Sequence, residues 1–573
     1  MLKLVKKKYK EAILSVLKTI DSSIDESYFH IDTPPDREKG DLAVPLFKVA
    51  KASKKNPTEI ADKIKVFLEN SDNSKNLYFV SCVQVGGFLN IFLDKNKLIC
   101  EQFKKTCKND FKSDALKNEK IMIEFSCPNT NKPLHLGHMR NDSLGMSISN
   151  LLKEAGAEVY RVNLVNDRGI HICKSMLAYK LFGDNCTPES TGIKADRFVG
   201  DFYVKYNNYE KENEEEAKSQ IAQMLLQWEN EDKEIRELWQ KMRTWALSGI
   251  QKTYDETGIV FDKTYYESEI YKKGKDEVLK GLEKNIFYRD KTGAIMVNID
   301  DKPKVLLRSD GTSIYLTQDI GTAIKRHNDW PYTSCIYVVG NEQKDHFKTL
   351  FAVLEKLGFS WSKKLKHLSY GMVNLPNGRM KSREGTVVDA DDLIESLSRQ
   401  SLESMKDKIE DKDKRNEVSK KIALGALNYF LLSQSPEKDM IFNPEESLSF
   451  TGDTGPYIQY TGARISSLLK KSNKQEFNNV VFKTKREKIE NDLIVQLCNF
   501  SYIIEKSALS YDPSILTGYL YGLCKIFSSF YHDLPILKAQ GDIREERLAI
   551  SYCVLCVLQK GFELLNIPFL DEM

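Results

Sequence analysis

The chain has 573 residues, 41% of them apolar and 29% charged, with eleven cysteines and a formal net charge of +3. Its length predicts three or four domains, and its small net charge does not announce a nucleic-acid partner. No run approaches the roughly 18 apolar residues of a membrane span, and an odd number of irregularly spaced cysteines argues against a disulfide framework. A cytoplasmic protein with no membrane partner is expected.

The opening "MLKLVKKKYKEAIL" carries lysines without a continuous apolar core behind them, so it reads as an amphipathic helix rather than a signal peptide. Residues 1–115 read as an independent α+β unit. Helical patterns ("EAILSVLKTI", "PTEIADKIKVFLEN") flank the loop "TPPDREKGDLA", and strand-like "LYFVSCVQVGGFLNIFL" follows. Polar "KNDFKSDALKNEK" is a linker. From residue 121, "IMIEFS" is a strand. A loop with Pro128 and Pro133 comes next, and then Leu144, Ile148, Leu151, Leu152 and Ala155 keep helical spacing. Gly156 is the expected C-cap and "EVYRVNLV" a second strand. This β–α–β pattern predicts parallel strands with ligands at their carboxyl ends.

Residues 180–290 are charge-rich and expected to be a helical insertion. "SIYLTQDIGTAIKRH" is a strand or loop entering a helix, and "CIYVVGNEQKDHFKTLFAVLEKLGF" is a second strand–loop–helix unit. "HLSYGMVNLPNGRMKSREGTVV" is a strand, a turn and a basic loop. From about 395 the chain is helical, which predicts an α-bundle. Within it Cys553 and Cys556 form a C-x-x-C, but they sit on an apolar helical pattern without a second pair, which favours core packing over metal.

"PNTNKPLHLGHMRN", residues 128–141, places His135 and His138 three apart behind Lys132 and Pro133 in a chain with only eight histidines. Three readings compete. A zinc site could recruit Cys127, but Lys132 and Arg140 disfavour a dication and no carboxylate falls at a suitable offset. Two solvated loop histidines are the ordinary reading of an isolated H-x-x-H. A phosphate site explains more. A helix N-terminus offers free N–H groups and partial positive charge, Gly137 allows close approach, two imidazoles point at the anion, and Lys132 adds full charge. Such a site could hold a triphosphate and stabilise a five-coordinate α-phosphorus and a departing pyrophosphate. The loop "GRMKSREG", with Arg379, Lys381, Ser382 and Arg383, could close over the same phosphates.

"EFSCPNTNKPLHLGHMRND" resembles the first signature of class I aminoacyl-tRNA synthetases, usually His-Ile-Gly-His. "GRMKSREGTVVDADDLI" resembles the second, usually Lys-Met-Ser-Lys-Ser. With "YLTQDIGTAIKR", "YVVGNEQKDHFKTLF" and "GDTGPYIQYTGARI", the chain resembles arginyl-tRNA synthetases in particular. "GDLAVPLFKVAKASKKNPTEIADKI" is similar to that family's N-terminal additional domain. "DPSILTGYLYGLCKIFSSFYHDLPIL" is similar to its helical anticodon-binding domain. The likeness covers nearly the whole chain, least clearly 180–290. It implies an α/β protein whose Rossmann-like parallel-sheet catalytic domain (116–395) lies between an α+β domain that touches the tRNA elbow (1–115) and an all-α anticodon-binding bundle (396–573).

The resemblance implies these roles. His135 and His138 contact the phosphates and the transition state, with Lys132 and Lys381 as further catalytic cations. Gly137, Gly340, Met372, Arg379, Ser382 and Arg383 complete the ATP site. Asn129, with the backbone around Cys127 and Pro128, holds the main-chain end of arginine near His138. Tyr315, Asp319 and Gln343 make the remaining arginine contacts, and Glu124 helps. Tyr457, Tyr460 and Arg464 suit RNA contact, against the reading that both tyrosines are core. The implied partners are tRNA(Arg), L-arginine and ATP with Mg²⁺, with no structural metal, and the implied state is a monomer. The physics of the substrate agrees: a planar, permanently charged guanidinium calls for a carboxylate fork, and Asp319 lies one helical turn after Tyr315. A site that satisfies several guanidinium donors can reject lysine or citrulline by roughly 10⁴–10⁵ without editing.

Two departures from the family pattern matter. The second signature is one residue short and opens on glycine or arginine, so Lys381 or Arg379 carries its charge. Lys132, just before the first signature, is expected to substitute for the missing lysine. Cys127 stands where the family commonly has serine, so any contact there is expected through backbone. The rival readings are another class I synthetase, a non-catalytic tRNA-binding paralogue, and a zinc hydrolase using His135 and His138.

Overall fold

The computed structural model describes the chain except residues 1, 33, 35–38, 109, 375, 377–387, 406–410, 475, 478–481 and 483. It divides into two compact units. One comprises Met1–Phe111, Leu468–Ile503 and Leu523–Val557; the other comprises Lys112–Ser467, Ile504–Gly522 and Leu558–Met573.

In the first unit, helix Leu2–Ile20 buries Val5, Tyr9, Ile13, Val16 and Leu17, one stripe at helical spacing. Helix Pro57–Glu69 starts where Asn56 caps it by accepting the Thr58 N–H, with proline at the first helical position. Both pack into one apolar cluster with an antiparallel sheet of Leu42–Pro45, Phe88–Leu93 and Phe79–Val85. Gly86, at φ 60°, forms the hairpin turn between the last two in sequence.

The second unit is built on five parallel strands: β1 (Lys120–Glu124), β2 (Glu158–Val165), β3 (Lys263–Tyr266), β4 (Ser334–Gly340) and β5 (Leu365–Tyr370). Their spatial order is β5-β4-β1-β2-β3. Met122, Ile123, Val162, Ile336 and Val338 are fully buried, as in a sheet covered on both faces. From β1 the chain steps one way through β2 and β3, then returns to the other side of β1 for β4 and β5. The order therefore reverses between β1 and β4, and that switch point opens a crevice at their carboxyl ends. Three helices bring residues to it: α1 (Leu136–Glu154), α2 (Tyr315–Asp329) and α3 (Lys344–Lys356).

Helix α1 is capped by Ala155, one position before the expected cap Gly156, which follows at φ 103°. It is buried almost all round because helix Lys412–Leu432 covers the side turned from the sheet. There Ser143 donates to Asn428 at 3.1 Å, and fully buried Arg140 donates to the Pro436 carbonyl at 3.3 Å.

The segment expected to be wholly helical is only partly so. Helices Ile170–Phe182, Ala195–Glu212, Glu214–Glu229 and Lys233–Thr257 share an aromatic core around Tyr179, Phe202 and Trp228. Lys263–Tyr266, however, pairs with β2 as an edge strand of the main sheet. An antiparallel sheet of Tyr288–Arg289, Ile295–Ile299 and Lys302–Leu307 follows helix Glu267–Glu283. Four-residue "KTYY" has too little periodicity to stand out between helices; its partner strand decides its conformation.

Cys553 and Cys556 are buried on helix Gly541–Leu564. No helix among the described residues is long and apolar enough to cross a membrane.

Candidate active site

His135 is the N-cap of α1. Its extended backbone (φ −133°, ψ 172°) lets its own Nδ1 accept the Gly137 N–H at 3.1 Å, while the His138 Nδ1 accepts the His135 N–H at 3.1 Å. The two rings lie 3.9 Å apart, centroid to centroid. With both Nδ1 atoms accepting, each neutral ring carries its proton on Nε2. Burial, and secondarily the Lys132 charge, pushes His135 down to about 3; burial, then His135 and Lys132, pushes His138 well below the usual imidazole range. The pair is neutral at pH 7 and offers two Nε2–H donors. Gly137 is tied to this arrangement, because a Cβ there would stand 3.0 Å from the His135 ring. Lys132 is half-buried, and burial lowers its pKa.

The loop between β1 and α1 carries Cys127, Pro128 and Asn129, the residues expected at the main-chain end of arginine. Cys127 is half-buried with φ 52°, and its N–H donates to Asn163 Oδ1 at 3.0 Å. The Cys127 carbonyl accepts from Asn166 Nδ2 at 3.3 Å, and the Pro128 carbonyl accepts from the Asn166 N–H at 2.9 Å. The Cys127 N–H is thus used inside the protein, which leaves the second lone pairs of the carbonyls and the half-buried Asn129 side chain as groups that a substrate can meet.

The residues expected at the guanidinium end are carried by α2 and by the short turn after β4. Asp319, on α2, bonds His346 Nε2 through Oδ2 at 2.6 Å, which leaves Oδ1. Tyr315, at the first position of α2, is 71% exposed, and Gln343 is exposed in a short turn that follows β4. Glu124 ends β1 almost fully buried and receives a hydrogen bond from fully buried Arg326. Burial pushes its carboxyl up, Arg326 pulls it back, and the Asp319 charge raises it again. Asp319 is therefore electrostatically joined to the strand end from which the histidine loop departs, while Glu124 already has an internal partner.

Sequence reasoning missed His346 and Glu267. Glu267 is nearly buried and lies 3.8 Å from Arg168. Burial raises its carboxyl to about 7, against the pull of Arg168 and with the push of Asp167 and Asp319. Helix Glu267–Glu283 reaches α2 through a glycine contact: a Cβ on Gly274 would strike the Thr317 carbonyl, and one on Gly321 would strike the Gly274 nitrogen. His346 was legible within "GNEQKDHF"; Glu267 required β3 to be recognised.

Arg379, Lys381, Ser382 and Arg383 lie outside the described residues. The flanks of their loop are anchored. On one side the Leu136 N–H donates to the Val388 carbonyl and the Ala390 N–H to the Leu134 carbonyl, so the loop's exit is paired with the histidine motif. On the other, the Met372 N–H donates to Asp439 at 2.7 Å, and strand Val373–Asn374 pairs with Met440–Ile441. A Cβ on Gly340 would stand 3.9 Å from the Met372 sulfur, so these two expected ATP contacts are neighbours.

Below the site, Asp142 is fully buried on α1 with neither carboxylate oxygen hydrogen-bonded, and burial raises it to about 7. A raised carboxyl contributes its stability in full below its unfolded value of 3.8 and loses it as pH rises through about 7. Above that, the buried charge costs on the order of 4 kcal/mol. We expect Asp142→Asn to raise the melting temperature at pH 8 and to change it little at pH 4, near the unfolded value. Equal shifts at both pH values would show that the carboxyl does not titrate in this window.

Helix Gly455–Lys471 carries Tyr457, Tyr460 and Arg464, all half-buried. The Arg464 guanidinium lies 4.7 Å from the Tyr460 ring centre, and Tyr457 packs edge-on against Tyr521.

A family model described as tRNA synthetases class I (R), catalytic domain, matches residues 102–444. Over 578 aligned residues the chain is 52% identical to the arginine–tRNA ligase of Treponema denticola, covering 97% of this chain and 96% of that one. The chain belongs to the arginyl-tRNA synthetase family. It is a class I aminoacyl-tRNA synthetase by its catalytic domain. An arginyl tRNA synthetase N-terminal domain model matches residues 7–93, and a DALR anticodon-binding domain model matches 458–573. The arginine–tRNA ligase of Borreliella burgdorferi is 43% identical, with both chains covered in full. Two solved structures share the fold. The Thermus thermophilus arginyl-tRNA synthetase has TM-score 0.77 at 24% identity, covering 99% of this chain and 100% of that one. The Plasmodium falciparum enzyme has TM-score 0.76 at 21% identity, covering 99% of each. Among the described residues of this synthetase no group of three or more His, Cys, Asp or Glu side chains could hold a metal.

Proposed function

We propose that this synthetase joins L-arginine to the 3′ end of tRNA(Arg) in two steps. An oxygen of the arginine carboxylate attacks the α-phosphorus of ATP, the bond to the β-phosphate breaks, and arginyl-adenylate and pyrophosphate form. The terminal 2′-hydroxyl of tRNA then attacks the arginyl carbonyl and AMP leaves. The observation that carries this reading is the neutral imidazole pair at the head of α1, in the same sheet crevice as a carboxylate suited to a guanidinium. His135 and His138 donate Nε2–H to phosphate oxygens as charge shifts onto the leaving group. Mg²⁺ enters with the nucleotide as part of the substrate. Asn129 and the Cys127 carbonyl take the main-chain end of arginine. Asp319, Tyr315, Gln343 and the nearby Glu267 take its guanidinium end.

Lys132 supplies the fixed positive charge that the altered second signature lacks. Helix Ala195–Glu212 supports it closely, because a Cβ on Gly200 would stand 2.9 Å from Pro133 and 3.5 Å from the Lys132 backbone. The bundle reads the anticodon through stacking on Tyr457 and Tyr460 with Arg464 on phosphate, and the N-terminal domain touches the tRNA elbow. The enzyme works as a cytoplasmic monomer. The test is charging of bulk tRNA by the pure protein. Arginine, and no other amino acid, is expected to be esterified; charging with glutamine or cysteine instead would overturn the assignment. In the same assay Lys132→Ala is expected to lose ~10²-fold in kcat, the scale of one preorganised transition-state donor. A rate near wild type would remove the lysine from the mechanism.

A further inference from the structure

Ser126 and Cys127 are consecutive L residues in the left-handed region, at φ 74° and 52°. That conformation crowds the Cβ against the following carbonyl oxygen and is unfavourable for an L residue. The other adjacent non-glycine pairs of this kind among the described residues are Asp184–Asn185 and Asp300–Asp301, whose short polar side chains tolerate it. Ser126–Cys127 has no such chemistry, so its shape must be imposed from outside.

Three buried side chains from three elements impose it. Asn141, on α1, accepts the Ser126 N–H at 2.6 Å; its own amide donates to the Val338 carbonyl of β4 at 2.8 Å and to the Tyr370 hydroxyl of β5 at 3.1 Å. Asn163, on β2, accepts the Cys127 N–H at 3.0 Å and donates to the Tyr254 hydroxyl at 3.3 Å. Tyr254, on helix Lys233–Thr257, shares a 2.6 Å hydrogen bond with the Ser126 hydroxyl. All three are at most 6% exposed. None faces open solvent, and the turn they hold is the one that delivers Pro128 and Asn129 to the crevice.

We infer that Asn141, Asn163 and Tyr254 are positioning residues for the main-chain end of arginine: they hold the left-handed turn that aims the Cys127 carbonyl and Asn129 at the substrate. The inference rests on the reading of Cys127–Asn129 as that subsite. Tyr254 gives the helical insertion a part in amino-acid binding, and Asn141 ties the same turn to β4 and β5. Without the clamp the turn relaxes toward ordinary φ values, and the arginine carboxylate loses its line of attack.

The experiment measures KM for arginine and for ATP separately, in tRNA charging at saturating tRNA, with Asn163→Ala, Tyr254→Phe and Asn129→Ala. Asn163→Ala is expected to raise KM for arginine ~10-fold or more and Tyr254→Phe ~3-fold, with KM for ATP within ~2-fold, since a misplacement of about 1 Å can cost ~10²-fold. A merely structural role would lower kcat through loss of folded enzyme and leave both KM values unchanged; that result would overturn the inference. Should Asn163→Ala fail to fold, Tyr254→Phe decides, because it removes one hydroxyl and keeps the ring in its core site. If Asn129→Ala leaves KM for arginine unmoved, the subsite reading itself falls. If Asn129→Ala raises it while Asn163→Ala and Tyr254→Phe do not, the positioning role alone is refuted.

Discussion

Asp319→Asn is expected to lower kcat/KM for arginine by ~10²-fold or more while KM for ATP stays within ~3-fold. A guanidinium brings a permanent charge and a rigid set of donors, and a carboxylate in a partly desolvated crevice is its natural partner. Losing one member of such a pair typically costs about 2–5 kcal/mol. The lower part of that range applies because the Asp319 side chain is 31% exposed and solvent screens part of its charge. Asparagine keeps the size and an acceptor oxygen, so the loss reports charge rather than packing. The bond from His346 orients the carboxylate and leaves Oδ1 for the substrate. The measurement is charging of tRNA over an arginine series at saturating ATP. An unchanged kcat/KM would show that the guanidinium binds elsewhere, and the assignment of this wall of the crevice to arginine would fail with it.

The second large effect is expected at His138. His138→Asn should lower kcat ~10²–10³-fold, the scale measured for one preorganised transition-state donor, and should leave the melting temperature nearly unchanged. The separation follows from the geometry. His138 Nδ1 caps the His135 N–H, and an asparagine side-chain oxygen occupies nearly the same position, so the helix start survives. What disappears is Nε2–H, the group that reaches the phosphates. His138→Ala removes both and is expected to lose stability as well, by about 1 kcal/mol. A His138→Asn enzyme of near-wild-type rate would restrict the histidine to capping.

The protonation state of the pair carries a further expectation. Both imidazoles have folded pKa values below the ordinary 6.5, so the folded state binds fewer protons than the unfolded chain in between. Their contribution to stability is present above pH 6.5 and is lost as pH falls well below it, for His135 through about 3. Lowering the pH from 8 to 6 should therefore not slow the first step through these two groups.

Much of this site was legible in one contiguous string. Within Glu124–Asp142 the strand end, the cap and the helix start are local events governed by neighbours a few positions away, whereas the conformation of the turn between them is not. The strings around Asp319 and Gln343 were legible for the same reason. The basic loop around Lys381 was legible as composition, and its four expected residues fall outside the described part of the chain. The resemblance implies Glu124 as a helper in arginine binding; its buried partner Arg326 lies 202 positions on and leaves no mark nearby.

By itself the sequence determined the period of each long helix, the β–α–β opening and the two histidines at a helix head, because these depend on side-chain spacing along one element. Only the tertiary structure decided that "KTYY" is a strand, that His346 holds Asp319 and that the Asp319 charge acts on Glu267. The same is true of Asn141 and Asn163, which bond the Ser126–Cys127 turn from 15 and 36 positions away. The physical reason is that such pairings depend on which elements the sheet order brings together, and a hydrogen bond across that distance imposes no periodicity on the residues that make it.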